Sequence, residues 1–160
     1  MELTQHLDVT PDEFFDILEE NVLSDIENAT GKQVNPAHLQ GYRYTKKVAN
    51  GRHQVPMKVK IKHFRRPAVY EARFTYGTGT NTIRYELEPS ENGGCDLTYT
   101  EEFVPTTPQR GLVYRLTRMN YDRKLQARAK QTISSIEKAV RERRKNNEIA
   151  ARKAQEIEQE

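Results

Sequence analysis

Between Gly41 and Val104 apolar and polar side chains alternate with a period of two, interrupted at Asn50-Gly51, Arg65-Arg66-Pro67, Gly77-Thr78-Gly79 and Asn92-Gly93-Gly94. Four turns make five antiparallel strands. Each turn also fixes a register, because residues paired across a hairpin must share a face. A two-residue turn at Asn50-Gly51 pairs Tyr44 with Met57 and Tyr42 with Val59. One centred on Arg65-Arg66 pairs Met57 with Phe74, Val59 with Ala72 and Ile61 with Tyr70; one centred on Thr78-Gly79 pairs Phe74 with Ile83, Ala72 with Tyr85 and Tyr70 with Leu87. The predicted rungs, such as Tyr42, Val59, Ala72 and Tyr85, are apolar throughout. Leu97, Tyr99 and Phe103 continue them in the last strand and carry Glu101 to the same side, beside Ile83 or Tyr85. Lys58, Lys60, Lys62, Arg73, Thr82, Arg84, Thr98 and Thr100 make the opposite, solvated side. In the stretch MKVKIKHF the same alternation puts His63 with Met57, Val59 and Ile61, at the rim opposite Ala68.

The flanking segments have other periods. Glu2 to Val9 alternates with Leu3, Leu7 and Val9 on one face, the pattern of a half-buried strand. The next residues, TPDE, are a helix start: Thr10 caps, Pro11 takes the first helical position and Glu13 completes a capping box. Phe14, Leu18, Val22 and Ile26 recur at helical spacing until Gly31, and Asn35-Pro36 starts a short helical turn. Thr106-Thr107-Pro108 opens a second helical segment, in which Tyr121, Leu125, Ala129, Ile133, Ile136 and Val140 form a stripe long enough to lie across the apolar side of the sheet. Leu112, Leu116 and Met119 form another stripe about 120° away, so a break or bend is expected near Asn120. Past Val140 the large apolar residues are only Ile149 and Ile157, too few for a coiled coil. The chain therefore divides into a domain over residues 1–140 and a charged helical or frayed extension over 141–160.

Charge changes the picture because it is segregated. The net +3 of the 160 residues comprises −8 over residues 1–40, +9 over 41–75, −5 over 76–109 and +7 over 110–160. Partners for the acidic helix must come from distant parts of the chain or from other molecules. No run approaches the roughly 18 apolar residues of a membrane span, and the opening MELTQH is no secretory leader, so a soluble, cytoplasmic protein is expected. The single cysteine, Cys95, follows Gly93-Gly94 with no basic neighbour and reads as inert.

Strand, acidic helix, short helix, five-stranded meander and long C-terminal helix is the element order of the helix-grip fold, and the chain resembles the START-like (SRPBCC) superfamily, which includes polyketide cyclases and pollen-allergen-type proteins. It is most similar to a bacterial family of small START-like proteins of unknown function, through LTQHLDVTPDEFFDILEENVLSDIENATGK, LQGYRYTKK and CDLTYTEEF. The resemblance covers about residues 1–140 and implies an α+β fold. In it a curved antiparallel sheet, one N-terminal strand plus the meander, wraps a long C-terminal helix, and the space between often holds an apolar small molecule.

The sequence adds that Tyr42, Tyr44, Tyr70, Tyr76, Tyr85 and Tyr99 all fall on the predicted concave side, with Glu101 among them. Buried phenols need hydrogen-bond partners, so these seven residues are the candidate ligand contacts. Lys46 also points inward, opposite Val55. The leading expectation is non-enzymatic binding of a small apolar or aromatic molecule, without a metal or other cofactor and with no catalytic residue assigned. The alternatives are a cyclase- or hydrolase-type enzyme using Glu101 with tyrosines, and a protein-interaction module working through the C-terminal helix. His6, His38, His53 and His63 are not at metal-ligand spacing, and no HExxH, CxxC, phosphate loop or nucleophile elbow occurs; the glycines of YGTGTN belong to a hairpin. Nucleic acid is not expected as a partner, because the aromatic groups that would stack bases lie on the face opposite the lysines.

Overall fold

In the computed structural model the backbone is described for residues 1–107 and 112–158, and the side chains for 1–107 and 122–157. The elements are β1 (Glu2–Leu7), α1 (Pro11–Thr30), a 3-10 turn (Pro36–His38), β2 (Arg43–Asn50), β3 (His53–Arg65), β4 (Val69–Tyr76), β5 (Gly79–Pro89), β6 (Cys95–Pro105) and α2 (Leu112–Glu158). The strands form one antiparallel sheet in the order β1-β6-β5-β4-β3-β2, the predicted meander closed by the N-terminal strand. Its apolar side packs against α1, through Phe14, Phe15, Leu18, Val22 and Ile26, and against Leu125, Ala129, Ile133, Ile136 and Val140 of α2. This is the α+β helix-grip arrangement.

The faces are as predicted, but the registers of the first three hairpins are displaced by two residues, while the fourth pairs Glu101 with Ile83 as expected. Tyr44 faces Val59 and Lys46 faces Met57; Val59 faces Phe74, and Ile61 faces Ala72. Tyr70 faces Tyr85, Ala72 faces Ile83, and Phe74 faces Asn81. Two glycines explain the displacement at the first and third turns. Gly51, at φ +61°, is the first residue of the β2–β3 loop, so Asn50 still pairs with His53. Gly79 is a strand residue paired with Pro105; a Cβ there would stand 2.5 Å from the Val104 carbonyl oxygen and 2.6 Å from the Phe103 ring. The turn is therefore Gly77-Thr78, one residue earlier than expected.

His63 is where the alternation fails. The β3–β4 register shifts between Ile61 and His63, a bulge after which His63 pairs with Glu71 and Phe64 with Tyr70. The extra residue sends His63 to the outer face, beside Lys62 and Glu71, instead of to the inner rim opposite Ala68. Phe64 takes the inward position, edge-on to Phe15 at 5.9 Å and to Tyr70 at 5.9 Å.

Long-range ion pairs join the segregated charges. The Thr10–Glu13 capping box forms as expected, with 3.2 Å from the Glu13 amide to Thr10 Oγ1 and 2.8 Å from the Thr10 amide to Glu13 Oε2. Glu13 also accepts 2.6 Å from Arg144 Nε, and Arg143 reaches Glu20 at 2.7 Å. Arg66, in the β3–β4 turn, binds Asp16 and, at 3.2 Å, Glu19. One helix, α2, runs through Asn120 without a break, since an interior Asn costs well under about 1 kcal/mol of propensity. Its 47 residues span about 70 Å, and those from Arg141 to Ile157 are exposed. The Leu112, Leu116 and Met119 stripe and Tyr121 lie outside the described side chains.

Two measurements test this architecture. Phe64→Ala is expected to lower stability by about 2–3 kcal/mol in urea denaturation while His63→Ala changes it by less than about 1 kcal/mol; an uninterrupted alternation requires the reverse order. Hydrogen bonding from Arg144 holds the Glu13 carboxyl down at about 2, against an ordinary 4.5, despite partial burial that opposes the shift. Its contribution is fully present above the ordinary value and is lost as pH falls from 4.5 toward 2. After discounting for solvent screening, that loss is on the order of 1 kcal/mol, and Arg144→Gln should remove most of this acid sensitivity between about pH 5 and pH 2.5.

Candidate functional site

Burial on the concave face fades along the strands. Leu87, Leu97, Tyr70, Tyr85 and Tyr99 are buried, whereas Phe74, Ile83, Phe103, Met57 and Tyr76 are only half-buried. The half-buried end is the one from which β6 leaves toward α2. The six predicted tyrosines are therefore divided between two environments. Tyr70, Tyr85 and Tyr99 form a cross-strand ladder with ring centroids 6.0 and 4.9 Å apart, and Phe14 of α1 covers Tyr85 at 6.0 Å. Tyr42 and Tyr44 lie side by side at 6.2 Å and are half-buried, as is Tyr76, which stacks on Phe103 at 6.1 Å.

Glu101 is the predicted residue with the most developed surroundings. It pairs with Ile83, faces inward and is 8% exposed. The Tyr99 hydroxyl donates to its Oε2 at 2.8 Å and Asn81 Nδ2 donates to its Oε1 at 2.6 Å. Its backbone is fixed as well: the Glu101 amide donates to the Met1 carbonyl at 2.9 Å, and the Met1 amino group donates to the Glu101 carbonyl at 2.8 Å.

Asn81 is the site residue that the sequence reading did not single out. With the turn placed one residue too late, it stood beside the loop; in the true register it enters the strand, opposite Phe74 and Phe103. Its inward parity, shared with Ile83 and Tyr85, was the available signal. Because its amide nitrogen is committed to the Glu101 carboxyl, its carbonyl oxygen points elsewhere, and among the described residues this buried Oδ1 has no hydrogen-bond partner. An unpaired buried acceptor costs about 1–3 kcal/mol, so it marks a place where a donor is wanted.

A second polar cluster engages Lys46. Its register partner is Met57 rather than Val55, and its ammonium binds both carboxyl oxygens of Asp25 on α1 at 2.8 Å, while the Tyr44 hydroxyl donates to the same group. Asp25 was illegible because the pairing joins a helix to a strand 21 residues away. Burial foremost pushes the phenols of Tyr44, Tyr70, Tyr85 and Tyr99 well above their ordinary 10, with the Asp25 carboxyl adding to the effect at Tyr44 and that of Glu101 at Tyr85 and Tyr99. Cys95 is buried at the start of β6, and burial, with Asp96 beside it, raises its thiol to about 11. Among the described residues no group of three or more His, Cys, Asp or Glu side chains could hold a metal, and no helix is long and apolar enough to cross a membrane.

These shifts set an alkaline test. A phenol whose folded value is raised contributes stability that is intact below 10 and is lost as pH climbs past it, because the unfolded chain ionises first. At about pH 11 the near-ultraviolet tyrosinate absorbance of the folded chain should fall short of that of the denatured chain by at least the four described groups, Tyr44, Tyr70, Tyr85 and Tyr99. Equal absorbance in the two states would contradict the buried ladder.

Solved structures share this arrangement. Ara h 8.0201 superposes with a TM-score of 0.62 at 11% identity, covering 88% of this chain and 95% of its own. The ZhuI aromatase/cyclase from Streptomyces sp. R1128 gives 0.60 at 14% identity, covering 89% and 93%. The protein of unknown function SA2116 from Staphylococcus aureus gives 0.60 at 11% identity, covering 91% and 94%. Identities this low establish the fold alone, which is the START-like helix grip. No curated protein matches the sequence. A family model does: DUF3284, a domain of unknown function, matches residues 1–122, from the first strand into the second helix, and the chain belongs to that family.

Proposed function

We propose that the chain is a non-enzymatic binding protein for a small, mostly apolar molecule bearing a hydroxyl or amine donor, held at the half-buried end of the concave face. The observation that carries this reading is the unpaired Asn81 Oδ1, set among Phe74, Ile83 and Phe103. Apolar walls with one fixed acceptor are the usual composition of a small-molecule site: the walls supply affinity and the acceptor supplies orientation. Glu101 and Tyr99 act at one remove, locking the Asn81 amide so that its oxygen faces the ligand.

The enzyme reading rests on the same carboxyl. Glu101 beside a phenol is a conceivable acid–base pair, and one structural neighbour is named as an aromatase/cyclase. Two features favour binding over catalysis. Both Glu101 oxygens already accept hydrogen bonds from the protein, and burial keeps the Tyr99 phenol neutral far above physiological pH, where a general base has to lose its proton readily.

Native mass spectrometry after gentle purification, with a thermal-shift panel of matched aromatic alcohols and their parent hydrocarbons, tests the proposal. The alcohols should bind about tenfold more tightly than the hydrocarbons, the equivalent of one hydrogen bond, and Asn81→Leu should abolish that preference while leaving hydrocarbon binding intact. If neither series binds, the reading fails. Glu101→Gln keeps one acceptor oxygen for the Asn81 amide, and its NH2 can donate to the Tyr99 hydroxyl, which accepts as well as donates, so it should leave binding within about threefold; an activity lost in that variant alone would favour the enzyme.

A further inference from the structure

Among the described residues the ion pairs leave a cluster of cations unmatched on the outer face of the sheet. Asp25, Asp16, Glu19, Glu20 and Glu13 of α1 are taken by Lys46, Arg66, Arg143 and Arg144. On the outer face of the sheet Glu71 accepts 2.6 Å from Lys62 and 2.8 Å from Arg84; burial raises its carboxyl, but these two bonds outweigh it and hold the group low. One rung away, Arg43 pairs with Lys60 and Lys60 with Arg73, three like charges directly opposite one another on adjacent strands. Lys58 stands on the next rung, between Thr45 and Thr75. Among the described residues none of these four cations forms an ion pair with a carboxyl group.

Like charges facing each other across a sheet destabilise it, and among the described residues no carboxyl group forms an ion pair with this rung. The same residues line an open groove of about 330 Å³, at the small end of the roughly 300–1,000 Å³ usual for ligand sites. Strands lie about 4.8 Å apart, so the Arg43–Lys60–Arg73 rung spans about 10 Å, the scale of a short chain of phosphoryl groups. The two guanidinium forks suit bidentate phosphate contacts, and the Thr45 and Thr75 hydroxyls can add donors beside them.

We infer that this groove, on the opposite side of the sheet from the concave site, binds a compact polyanion carrying two or more linked phosphoryl groups. One phosphate monoester supplies roughly two negative charges, too few for four cations, whereas a triphosphate comes close to matching them. A long polymer fits less well, because the outer face toward β5 and β6 turns acidic at Glu86, Glu88, Asp96 and Glu102. The one aromatic residue lining the groove, Tyr44, has its side chain on the other face, bonded to Asp25 and beside Tyr42, so no ring is offered to stack a base, and inorganic triphosphate and a nucleoside triphosphate should bind alike.

Isothermal titration of the full chain with inorganic triphosphate, a nucleoside triphosphate, inorganic phosphate and single-stranded oligonucleotides of increasing length tests the inference. Both triphosphates are expected to bind with similar, salt-sensitive affinity and well ahead of phosphate. Lys60→Gln and Arg73→Gln should each weaken binding at least about fivefold, and Arg128→Gln on α2 should not. Lys60→Gln should also raise the melting temperature of the free chain, since it removes the central like charge. Lack of triphosphate binding at low salt, an equal loss in Arg128→Gln, or a lower melting temperature for free Lys60→Gln overturns it. So does affinity that climbs with oligonucleotide length while triphosphate binds no better than phosphate, which would make the face a track for nucleic acid.

Discussion

Burying one face of an antiparallel sheet fixes the parity of every strand pairing, because a one-residue slip would exchange the whole core face for the solvent face. A two-residue slip carries no such penalty: it exchanges one inward rung for the next. The first three hairpins obey the first constraint and use the freedom of the second, whereas the fourth sets Glu101 opposite Ile83 as expected. Parity changes only at the bulge between Ile61 and His63, and that change gives the structure Phe64 against Phe15 and Tyr70. It also sets Lys62 and His63 together around Glu71 on the outer face.

The two faces consequently separate two kinds of chemistry. Inside, two polar clusters are fixed by protein: Tyr44 and Lys46 converge on Asp25, and Tyr99 and Asn81 on Glu101. Asn81 Oδ1, a buried acceptor without a partner among the described residues, is held in place by the pairing of its own amide nitrogen. Outside, alternate strand positions bring cations from β2, β3 and β4 into register, neutralised around Glu71 and left unmatched around Lys60. Both proposed sites rest on the same physical sign, a polar or charged group left without a partner among the described residues.

Charge segregation along the chain has a structural counterpart. The acidic α1 meets basic side chains from β2, from the β3–β4 turn and from α2 past Val140. Most of these pairs are partly exposed, so their individual worth is small. Their geometry nonetheless fixes which side of α1 meets the sheet and which meets α2. Glu13 belongs to both the helix cap and the interhelical contact, and so links local to long-range structure.

Element order, the capping box, the meander and the inward face of each strand were legible in the sequence, because they rest on local periodicity and on turn residues with restricted backbone choices. The inward placement of the six tyrosines and of Glu101 followed from that parity. Which of them pack together did not. Register depends on whether Gly79 is a turn or a strand residue, and that is decided by Val104 and Phe103, which lie in the neighbouring strand. The bulge that sends His63 outward leaves no mark on the alternation of MKVKIKHF, since it depends on whether Phe64 or His63 better fills the space beneath Phe15. Asn81 and Asp25 gained their roles in the same way. Parity is a property of one strand and can be read from it, whereas partners are chosen by packing between segments that only the folded chain brings together.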